Sequence, residues 1–465
     1  MIISNHFERE LIILHIILTN KSTTLTLLSE EIAIPKLTIK GDILKLNNYF
    51  VEHTKNENDL IISNNQGIIS INPMFSDNII TYFYQLKLAL SNNSTLFRLC
   101  VLLLTNYSIS KQQILDHLFI SEAYLLKLCS QLNGYLSQFD LSVNSTNQIY
   151  SLKGNEICLR MFSYTILQDN FQGMEWPFDS TTPIVNFDNS NSAISLTKNH
   201  ALYLFSEIVQ QRFLNDNFLV IDPDDSLYDL LKLLQESYDV TKLFNKSPFE
   251  NLSENVADSE KLYLNFFARI FLSDLISSET KINLGRKFQE FDHPACRLAN
   301  EIYSKFSNVF LEPISANENG IYLYYLTIFN ILYSLIGDKY VLFLELMIPV
   351  PHLNINKTDD YMNRIKKEIA ELFEDKALEN YIAALLYTVS SFKKSTTLKL
   401  YIQMSKVFTA VYVIEKRIQT IFNTNNIVFT NNFSEADIVI TDSFEKNRLT
   451  KYFSTWIPST TRTGG

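Results

Sequence analysis

The sequence predicts a mainly α-helical protein of several domains that ends in a small α/β domain, and three observations lead to this expectation. A chain of 465 residues is longer than one hydrophobic core normally supports. Apolar residues make up 46% of the chain and only 10 residues are glycine, which favours helices over loops that hold nucleotides. Apolar side chains recur at helical spacing until the C-terminal part, where short strands alternate with a helix.

The net charge and the spacing of the cysteines argue against some classes of protein. The net charge of −10 and the pI near 5.3 argue against an overall basic protein that coats nucleic acid, although they allow a local basic face. The cysteines lie far apart without a CxxC pair, which indicates reduced core thiols rather than disulfides or zinc ligands. We therefore expect a cytoplasmic protein with no metal and no cofactor. The cysteines are Cys100, Cys129, Cys158 and Cys296.

Two apolar stretches are compared with membrane and targeting segments. Residues 1–20 are interrupted by charged residues and lack a basic start followed by a small-residue cleavage site. The most apolar window, Ile321–Gly337, is short for a membrane span and contains Asn330 and several tyrosines. We expect a buried helix there and no membrane contact.

The N-terminal region contains an internal repeat. The stretch IPKLTIKGDILKLNNYF (Ile34–Phe50) is related to ISEAYLLKLCSQLNGYL (Ile120–Leu136), because Leu-Asn-x-Tyr follows the first isoleucine at the same offset in both. At the same separation, Leu-Thr-Asn at residues 18–20 matches Leu-Thr-Asn at residues 104–106. Matches that continue across three predicted elements without a gap indicate a duplicated unit.

Each unit is predicted to contain three helices and a β-hairpin, which together make a winged helix-turn-helix. The β-branched runs around Asn-Asn-Gln-Gly predict one hairpin within Asp59–Pro73, and those around Asn-Ser-Thr-Asn predict another within Leu141–Gly154. The units are assigned to residues 1–73 and 74–172. The predicted helices are Glu10–Leu18, Thr24–Ala33 and the stretch from Pro35 to Phe50, then Leu96–Leu104, Ser110–Phe119 and the stretch from Ser121 to Leu136.

The third helix of each unit contains the candidate DNA contacts. With Ile39, Ile43 and Leu46 facing inward, the lysines of the first unit point outward. A recognition helix places its N-terminal residues in the major groove, where lysines bind phosphates or guanine edges. The duplication favours this interpretation over a merely solvated helix face. The predicted contact residues are Lys36, Leu37, Lys40 and Lys45 in the first unit, and Ser121, Glu122, Lys127 and Gln131 in the second.

The middle of the chain is predicted to be helical. Gly173–Leu196 is rich in Pro, Ser, Asn and Asp and is expected to be a linker or an irregular start of the next domain. Two later segments resemble each other: HALYLFSEIVQQRF (His200–Phe213) and HPACRLANEIYSKF (His293–Phe306) each begin with His, contain Glu-Ile and end on Phe. They predict two related all-α domains, residues 173–286 and 287–392.

The first residues of these two segments, His200 and His293, are candidates for phosphorylation. A histidine that is exposed and neutral near pH 7 can accept a phosphoryl group. A lone histidine is more often structural, but equivalent placement at two helix starts favours the reactive interpretation. No His-Glu-x-x-His, Gly-x-Ser-x-Gly or phosphate-loop lysine is present, so no catalytic residue is predicted.

The C-terminal part, residues 393–465, is predicted to be a small α/β domain with a parallel sheet. Strands are expected at Leu398–Met404, Asn426–Thr430 and Ala436–Ser443, with an amphipathic helix at Ser405–Phe422. The polar tail Ser459–Gly465 is expected to be frayed.

The order of these parts resembles that of the Mga/AtxA-type virulence regulators of Gram-positive bacteria. These proteins combine two N-terminal helix-turn-helix units, two phosphotransferase-system regulation (PRD) domains and an enzyme-IIB-like C-terminal domain. The resemblance covers nearly the whole chain through its architecture. IPKLTIKGDI is also similar to the family's Thr-Ile pair followed by Asp-Ile, here Thr38-Ile39 and Asp42-Ile43, with Gly41 at a position that is often basic.

The resemblance implies that His200 and His293 are the first phosphorylatable histidine of each regulation domain. The second histidine expected in each domain is absent, because Leu262–Phe271 and Gly320–Phe329 contain Phe and Tyr instead. No cysteine follows the first strand of the enzyme-IIB-like domain, where a phosphocysteine would be expected. That domain is therefore expected to serve dimerisation or interaction rather than phosphate transfer.

The function that follows is a DNA-binding transcriptional regulator and not an enzyme. The resemblance implies an activator, responsive to virulence or carbohydrate signals, that binds promoter DNA as a homodimer and is phosphorylated by the phosphocarrier protein HPr. One alternative is a phosphoryl-carrying component of the phosphotransferase system, against which the missing C-terminal cysteine argues. The other is a helical interaction scaffold that does not bind DNA.

Overall fold

The computed structural model describes residues 5–179, 196–213, 216–244, 248–272, 275–309, 316–347, 360–390, 398–403, 410–421, 427–430, 432, 436, 438–441 and 453–455. These residues form mainly α-helices with three small sheets, which confirms the predicted fold class. The chain divides into two compact units, residues 1–357 with 368–379 and residues 358–367 with 380–465. Most of the predicted linker, residues 180–195, lies outside the described residues.

The N-terminal part contains two helix-turn-helix units with the same order of elements. The first comprises α1 (Asn5–Asn20), β1 (Ser22–Thr24), α2 (Leu25–Ile32), α3 (Lys36–Thr54), β2 (Ile61–Ser63), β3 (Ile68–Ile71), a 3-10 helix (Pro73–Asn78) and α4 (Ile79–Asn92). The second comprises α5 (Thr95–Thr105), β4 (Ile109–Ser110), α6 (Lys111–Leu118), α7 (Glu122–Leu136), a 3-10 helix (Ser137–Phe139), β5 (Leu141–Thr146), β6 (Ile149–Gly154) and α8 (Glu156–Phe171).

The sheets of the two units also correspond. Each is antiparallel and three-stranded, with the order β1-β3-β2 in the first unit and β4-β6-β5 in the second. The duplication predicted from the sequence is therefore present in the fold. The sequence did not predict β1 and β4, which are too short to show a period of two, or the closing helices α4 and α8. The two-residue turn of the second hairpin is Asn147–Gln148, and not the predicted Asn-Ser-Thr-Asn.

Caps and tight turns place the third helix of each unit. Thr24 accepts a hydrogen bond from the Leu27 N–H at 3.3 Å at the start of α2, and Ser110 forms a capping box with Gln113 at the start of α6. Each second helix then ends on a left-handed residue, Ala33 (φ 57°) and Phe119 (φ 56°). A side chain in that conformation costs about 1–2 kcal/mol. The same strained turn thus leads into both third helices. Pro35, predicted inside the first turn of α3, is instead its N-cap residue.

The repeated Leu-Asn-x-Tyr motif joins each third helix to its hairpin. Leu46 and Leu132 are fully buried. Asn47 donates to the Ile61 carbonyl at 2.8 Å and accepts from the Ile61 N–H at 2.9 Å, at the start of β2. Asn133 accepts from the Val143 N–H in β5 at 2.6 Å. The asparagine satisfies backbone groups of the first hairpin strand and so aligns the hairpin with the helix.

Two of the predicted domain boundaries do not separate independently packed groups of helices and strands. The boundary after residue 73 precedes α4, whose Leu86 and Leu90 belong to the hydrophobic core of the first unit. The boundary after residue 286 falls within the helix Ser278–Glu290. The all-α region contains α9 (Leu196–Phe213), α10 (Ser226–Ser237), α11 (Glu254–Phe271), α12 (Ser278–Glu290), α13 (Pro294–Ser307), α14 (Ala316–Ile336), α15 (Lys339–Met347), α16 (Asp360–Ile369) and α17 (Lys376–Ser390), with 3-10 helices at Val240–Leu243 and Ala370–Leu372.

Helix α14 contains the apolar window that the sequence assigned to a core. Among the described residues it is the one unbroken helix long and apolar enough to cross a membrane, and 61% of that stretch is buried inside the protein. Tyr322, Leu323 and Leu326 are at most 3% exposed. Helix α14 is therefore buried to the extent expected of a helix in a protein core. The four cysteines are also buried and free, as predicted.

The C-terminal unit contains the predicted parallel sheet. Besides most of α16 and α17, its elements are β7 (Leu398–Gln403), α18 (Ala410–Ile421), β8 (Ile427–Phe429), β9 (Ile438–Thr441) and β10 (Phe453–Thr455). The strands pair in the order β10-β9-β7-β8, all parallel. Strand β10 was not predicted. The start of the predicted helix Ser405–Phe422 and the tail Ser459–Gly465 lie outside the described residues.

Candidate nucleic-acid interface

The outer face of α3 combines lysines with exposed leucines. Ile39, Leu46 and Phe50 are fully buried, so the opposite side of the helix faces solvent. Leu37 is 83% exposed and Leu44 is 62% exposed. The outer face therefore carries both the predicted positive charge and apolar surface. Its exposed residues over the first half of the helix are Lys36, Leu37, Lys40, Gly41, Leu44 and Lys45.

The three lysines of this face have different surroundings. Lys36 Nζ donates to the Thr26 hydroxyl of α2 at 2.8 Å. Lys45 Nζ lies 3.7 Å from Glu10 Oε1 and 3.7 Å from Asp42 Oδ1, so its charge is partly balanced. Lys40 is exposed and makes no ion pair with any residue that the structure describes. Lys40 therefore offers the most available positive charge on α3.

A cluster of charged residues ties α1 to α3 behind this face. Arg9 binds Asp42 with both ends of its guanidinium, at 2.5 Å (Nε to Oδ2) and 2.9 Å (Nη2 to Oδ1). Asp42 is 1% exposed, so this residue, singled out by the family resemblance, is structural. Burial raises the pKa of the neighbouring Glu10 to about 7, while Lys45 opposes that rise. The cluster orients the helix, and Lys45 contributes to it.

The corresponding helix of the second unit is less basic. Ser121 caps α7 by accepting from the Tyr124 N–H at 3.4 Å, and Glu122 accepts from Lys111 Nζ at 2.8 Å. These two predicted DNA contacts therefore also organise the start of the helix. Lys127 and Gln131 are exposed, and neither forms a side-chain hydrogen bond or ion pair within the described part of the chain. They are the polar groups of α7 most available to a partner.

The duplicated units thus differ most on the face that would contact DNA. At the repeat separation, Lys36 corresponds to Glu122, Lys40 to Leu126 and Lys45 to Gln131, so each of the three lysines of α3 has a non-basic counterpart in α7. The buried apolar residues Ile39, Leu46 and Phe50 of α3 correspond to Leu125, Leu132 and Leu136, which are buried in α7. The core therefore preserves the fold while the surfaces diverge.

The structure places the two candidate phosphorylation sites differently within their helices. His200 is the fifth residue of α9, whereas His293 immediately precedes α13 and is its N-cap. Only His293 is thus at a helix start, and the equivalence expected from the sequence does not extend to helix position. The sequence could not show this, because α9 begins within the polar stretch preceding His200.

His200 packs against the segment that follows the second unit. Its ring stands perpendicular to that of Trp176, with the centroids 5.8 Å apart. Gly173 lies beside it, and a Cβ at that position would come within 3.4 Å of the imidazole Cδ2. Burial lowers the pKa of His200. The imidazole is therefore neutral at pH 7. It is half-buried and lies against the residues that follow the C-terminus of α8.

His293 is 7% exposed, and its Nδ1 accepts the Ala295 N–H at 3.0 Å. Because Nδ1 is an acceptor, the neutral ring carries its proton on Nε2. Burial is the main cause that lowers the pKa of His293. The side chain thus has a structural role in starting α13.

A buried charge network joins the second unit to the all-α region. Arg160 of α8 pairs with Glu260 of α11 through Nη1–Oε2 (2.6 Å) and Nη2–Oε1 (2.9 Å) contacts. Arg160 Nε also donates to Glu156 at 2.8 Å, and Arg212 of α9 binds Glu156 at 2.8 Å. Arg160 and Glu260 are each 1% exposed. The Glu156–Arg160 pair is local, since its members are four residues apart on α8, but Arg212 and Glu260 lie far along the chain, so no local sequence signal could reveal the whole network.

Two duplicated helix-turn-helix units, each with an exposed third helix and a hairpin, define a DNA-binding regulator of transcription. Residues 77–167, which span α4 to most of α8, match the family model of the Mga helix-turn-helix domain. This match supports membership of the chain in the Mga-type family of transcriptional regulators. A comparison with curated proteins finds no match. The family match contains Lys127 and Gln131 of α7, whereas the more basic helix α3 lies outside it.

Proposed function

We propose that this regulator activates transcription from promoters through both third helices and is controlled by the sugar-transport phosphotransferase system. The observation that carries the proposal is the exposed third helix of each duplicated unit, with Lys40 and Lys127 free to bind phosphate. In this scheme the protein is cytoplasmic, performs no catalysis, and binds DNA as a homodimer through paired symmetric sites. Carbohydrate and virulence signals reach it through HPr.

Removing Lys40 and Lys127 together is expected to weaken binding to double-stranded DNA. Each lost phosphate contact lowers the slope of log affinity against log salt by about one unit, because fewer counterions are released. The measurement is a titration of AT-rich promoter DNA at several salt concentrations. The matched control is Lys287→Ala, which removes an exposed lysine of α12. Equal affinity and an unchanged slope for the Lys40→Ala/Lys127→Ala variant would indicate a scaffold rather than a DNA reader.

The control mechanism proposed is phosphorylation of His200 and His293 by HPr. A phosphoryl group adds about −1.5 to −2 charge units. On His200 it would press against Trp176 and Gly173, where the chain leaves α8. On His293 it would leave the bond to the Ala295 N–H intact if attached to Nε2 and break it if attached to Nδ1. Either change shifts the populations of domain arrangements and hence the spacing of the DNA-binding units.

Incubation with labelled phospho-HPr is expected to label the parent protein more strongly at His200, whose neutral imidazole is half-buried, than at His293, which is 7% exposed. His200→Ala and His293→Ala should each lose part of the label, and the double variant should lose all of it. His53→Ala, which removes an exposed histidine of α3, is the control and should keep the parent level. An unlabelled parent, or a double variant labelled as strongly as the parent, would leave both residues with structural roles only.

A further inference from the structure

The centre of the α3 outer face is apolar, and the fold does not require it to be. Leu37 and Leu44 are 83% and 62% exposed, and with Gly41 between them they lie on one side of the helix. The corresponding residues of α7, read at the repeat separation, are Ala123 and Ser130. The second unit forms the same fold without large apolar side chains at these positions. The two leucines are therefore available for a partner.

Gly41 supports the same conclusion from a different property. Glycine weakens the interior of a helix because it has the greatest backbone freedom to lose. A Cβ at Gly41 would meet nothing within 4 Å, so no packing among the described residues demands glycine there. A glycine between two exposed leucines lets another surface approach the helix backbone closely. The apolar face is thus shaped for close contact.

The charges around this face indicate what the partner is. Lys36 and Lys40 are exposed beside the leucines, and Lys45 is half-exposed at the far end. An apolar protein surface would bury these charges without compensation. The major groove of DNA instead has phosphates along both edges, and its main apolar groups are the 5-methyl groups of thymine. The combination of flanking lysines and central leucines matches a thymine-containing duplex.

We propose that Leu37 and Leu44 contact thymine 5-methyl groups in the major groove and so make α3 prefer A·T base pairs. This inference rests on the proposed DNA binding by α3 and names the residues that give it base preference. Lys40 holds a phosphate and sets affinity, whereas the leucines set preference. Gly41 permits the approach that brings both leucines to the base edges.

The test compares two duplexes that differ only by the methyl group. One is alternating dA·dT and the other is the same alternating sequence with deoxyuridine in place of thymidine, each about three helical turns long. The full-length parent is expected to bind the thymine duplex about fourfold more tightly for each methyl group buried. Leu37→Ala/Leu44→Ala should bind both duplexes equally with an unchanged salt slope. Both leucines are exposed, so circular dichroism should show an unaltered fold.

Two further variants separate this inference from the proposed function. Lys40→Ala should weaken binding to both duplexes and keep their ratio, because it removes a phosphate contact only. Gly41→Ala should weaken binding to both and reduce the ratio. If the parent binds both duplexes equally while Lys40→Ala weakens both, methyl recognition is overturned and DNA binding by α3 stands. If Lys40→Ala changes neither, or the parent binds neither duplex, DNA binding by α3 fails as well.

A second copy of the chain is the competing occupant of this face. Light scattering on the same proteins distinguishes it, since Leu37→Ala/Leu44→Ala would then reduce the oligomeric mass. A reduced mass together with an unchanged duplex ratio would assign the leucines to self-association and overturn the inference. An unchanged mass with loss of the duplex ratio supports it.

Discussion

Glu260→Gln is expected to destabilise the fold by about 3–5 kcal/mol, because it leaves the buried Arg160 charge without its main partner. Both residues are 1% exposed, and the carboxylate makes two contacts of 2.6 and 2.9 Å with the guanidinium. Glu260 Oε1 also accepts the Leu219 N–H at 2.7 Å, a bond that the glutamine oxygen can keep, so the variant tests the lost charge. The measurement is the free energy of unfolding from a urea titration.

The control for this variant is an exposed ion pair of the same chain. Lys305 lies 3.3 Å from Glu371, whose side chain is 82% exposed, so Glu371→Gln should cost less than about 1 kcal/mol. Arg160→Met/Glu260→Leu removes both buried charges and should be less harmful than Glu260→Gln alone. If Glu260→Gln costs no more than Glu371→Gln, the network does not stabilise the junction between the second unit and the all-α region.

Gly285→Ala is expected to destabilise the all-α region by about 3 kcal/mol or more through overpacking. Gly285 of α12 meets Gly320 of α14 where the two helices cross. A Cβ at Gly285 would lie 1.8 Å from the Gly320 carbonyl oxygen and 2.6 Å from its carbonyl carbon. Backbone atoms cannot turn away as a side chain can, so the helices must separate. A thermal melt should show a lower transition temperature.

Gly134→Ala is the matched control for this crossing. Gly134 is also inside a helix, α7, but a Cβ there would meet nothing within 4 Å. Alanine should therefore stabilise the protein by about 0.5–1 kcal/mol through its higher helix propensity. Similar melting temperatures for Gly285→Ala and Gly134→Ala would show that α12 and α14 do not cross as closely as described.

The helix-turn-helix units could be predicted because their signals are local. Caps such as Ser110 and Ser121, the helical spacing of Leu125, Cys129 and Leu132, and the repeated Leu-Asn-x-Tyr are all present within short windows. Short strands are harder to predict, since β1 and β4 contain three and two residues and exist only because the hairpin pairs with them. Their pairing is a long-range event without a local period.

The role of individual site residues was less predictable. All three α3 lysines were correctly placed outside, but periodicity could not show that Lys36 binds Thr26 or that Lys45 lies between Glu10 and Asp42. Exposure is a property of one helix face, whereas Glu10 and Thr26 come from α1 and α2. The sequence therefore located the face, and the packing of neighbouring helices left Lys40 as its most available charge.

The sequence by itself determined the mainly helical class, the duplicated units, the outward face of α3 and the parallel C-terminal sheet, because these depend on apolar spacing and caps within one element. The tertiary structure alone decided that Arg160 meets Glu260, that Gly285 crosses Gly320, and that His200 lies against Trp176. Such contacts join residues from separate elements. The energetic effect of a buried charge or of a glycine depends on the neighbour that the fold places against it.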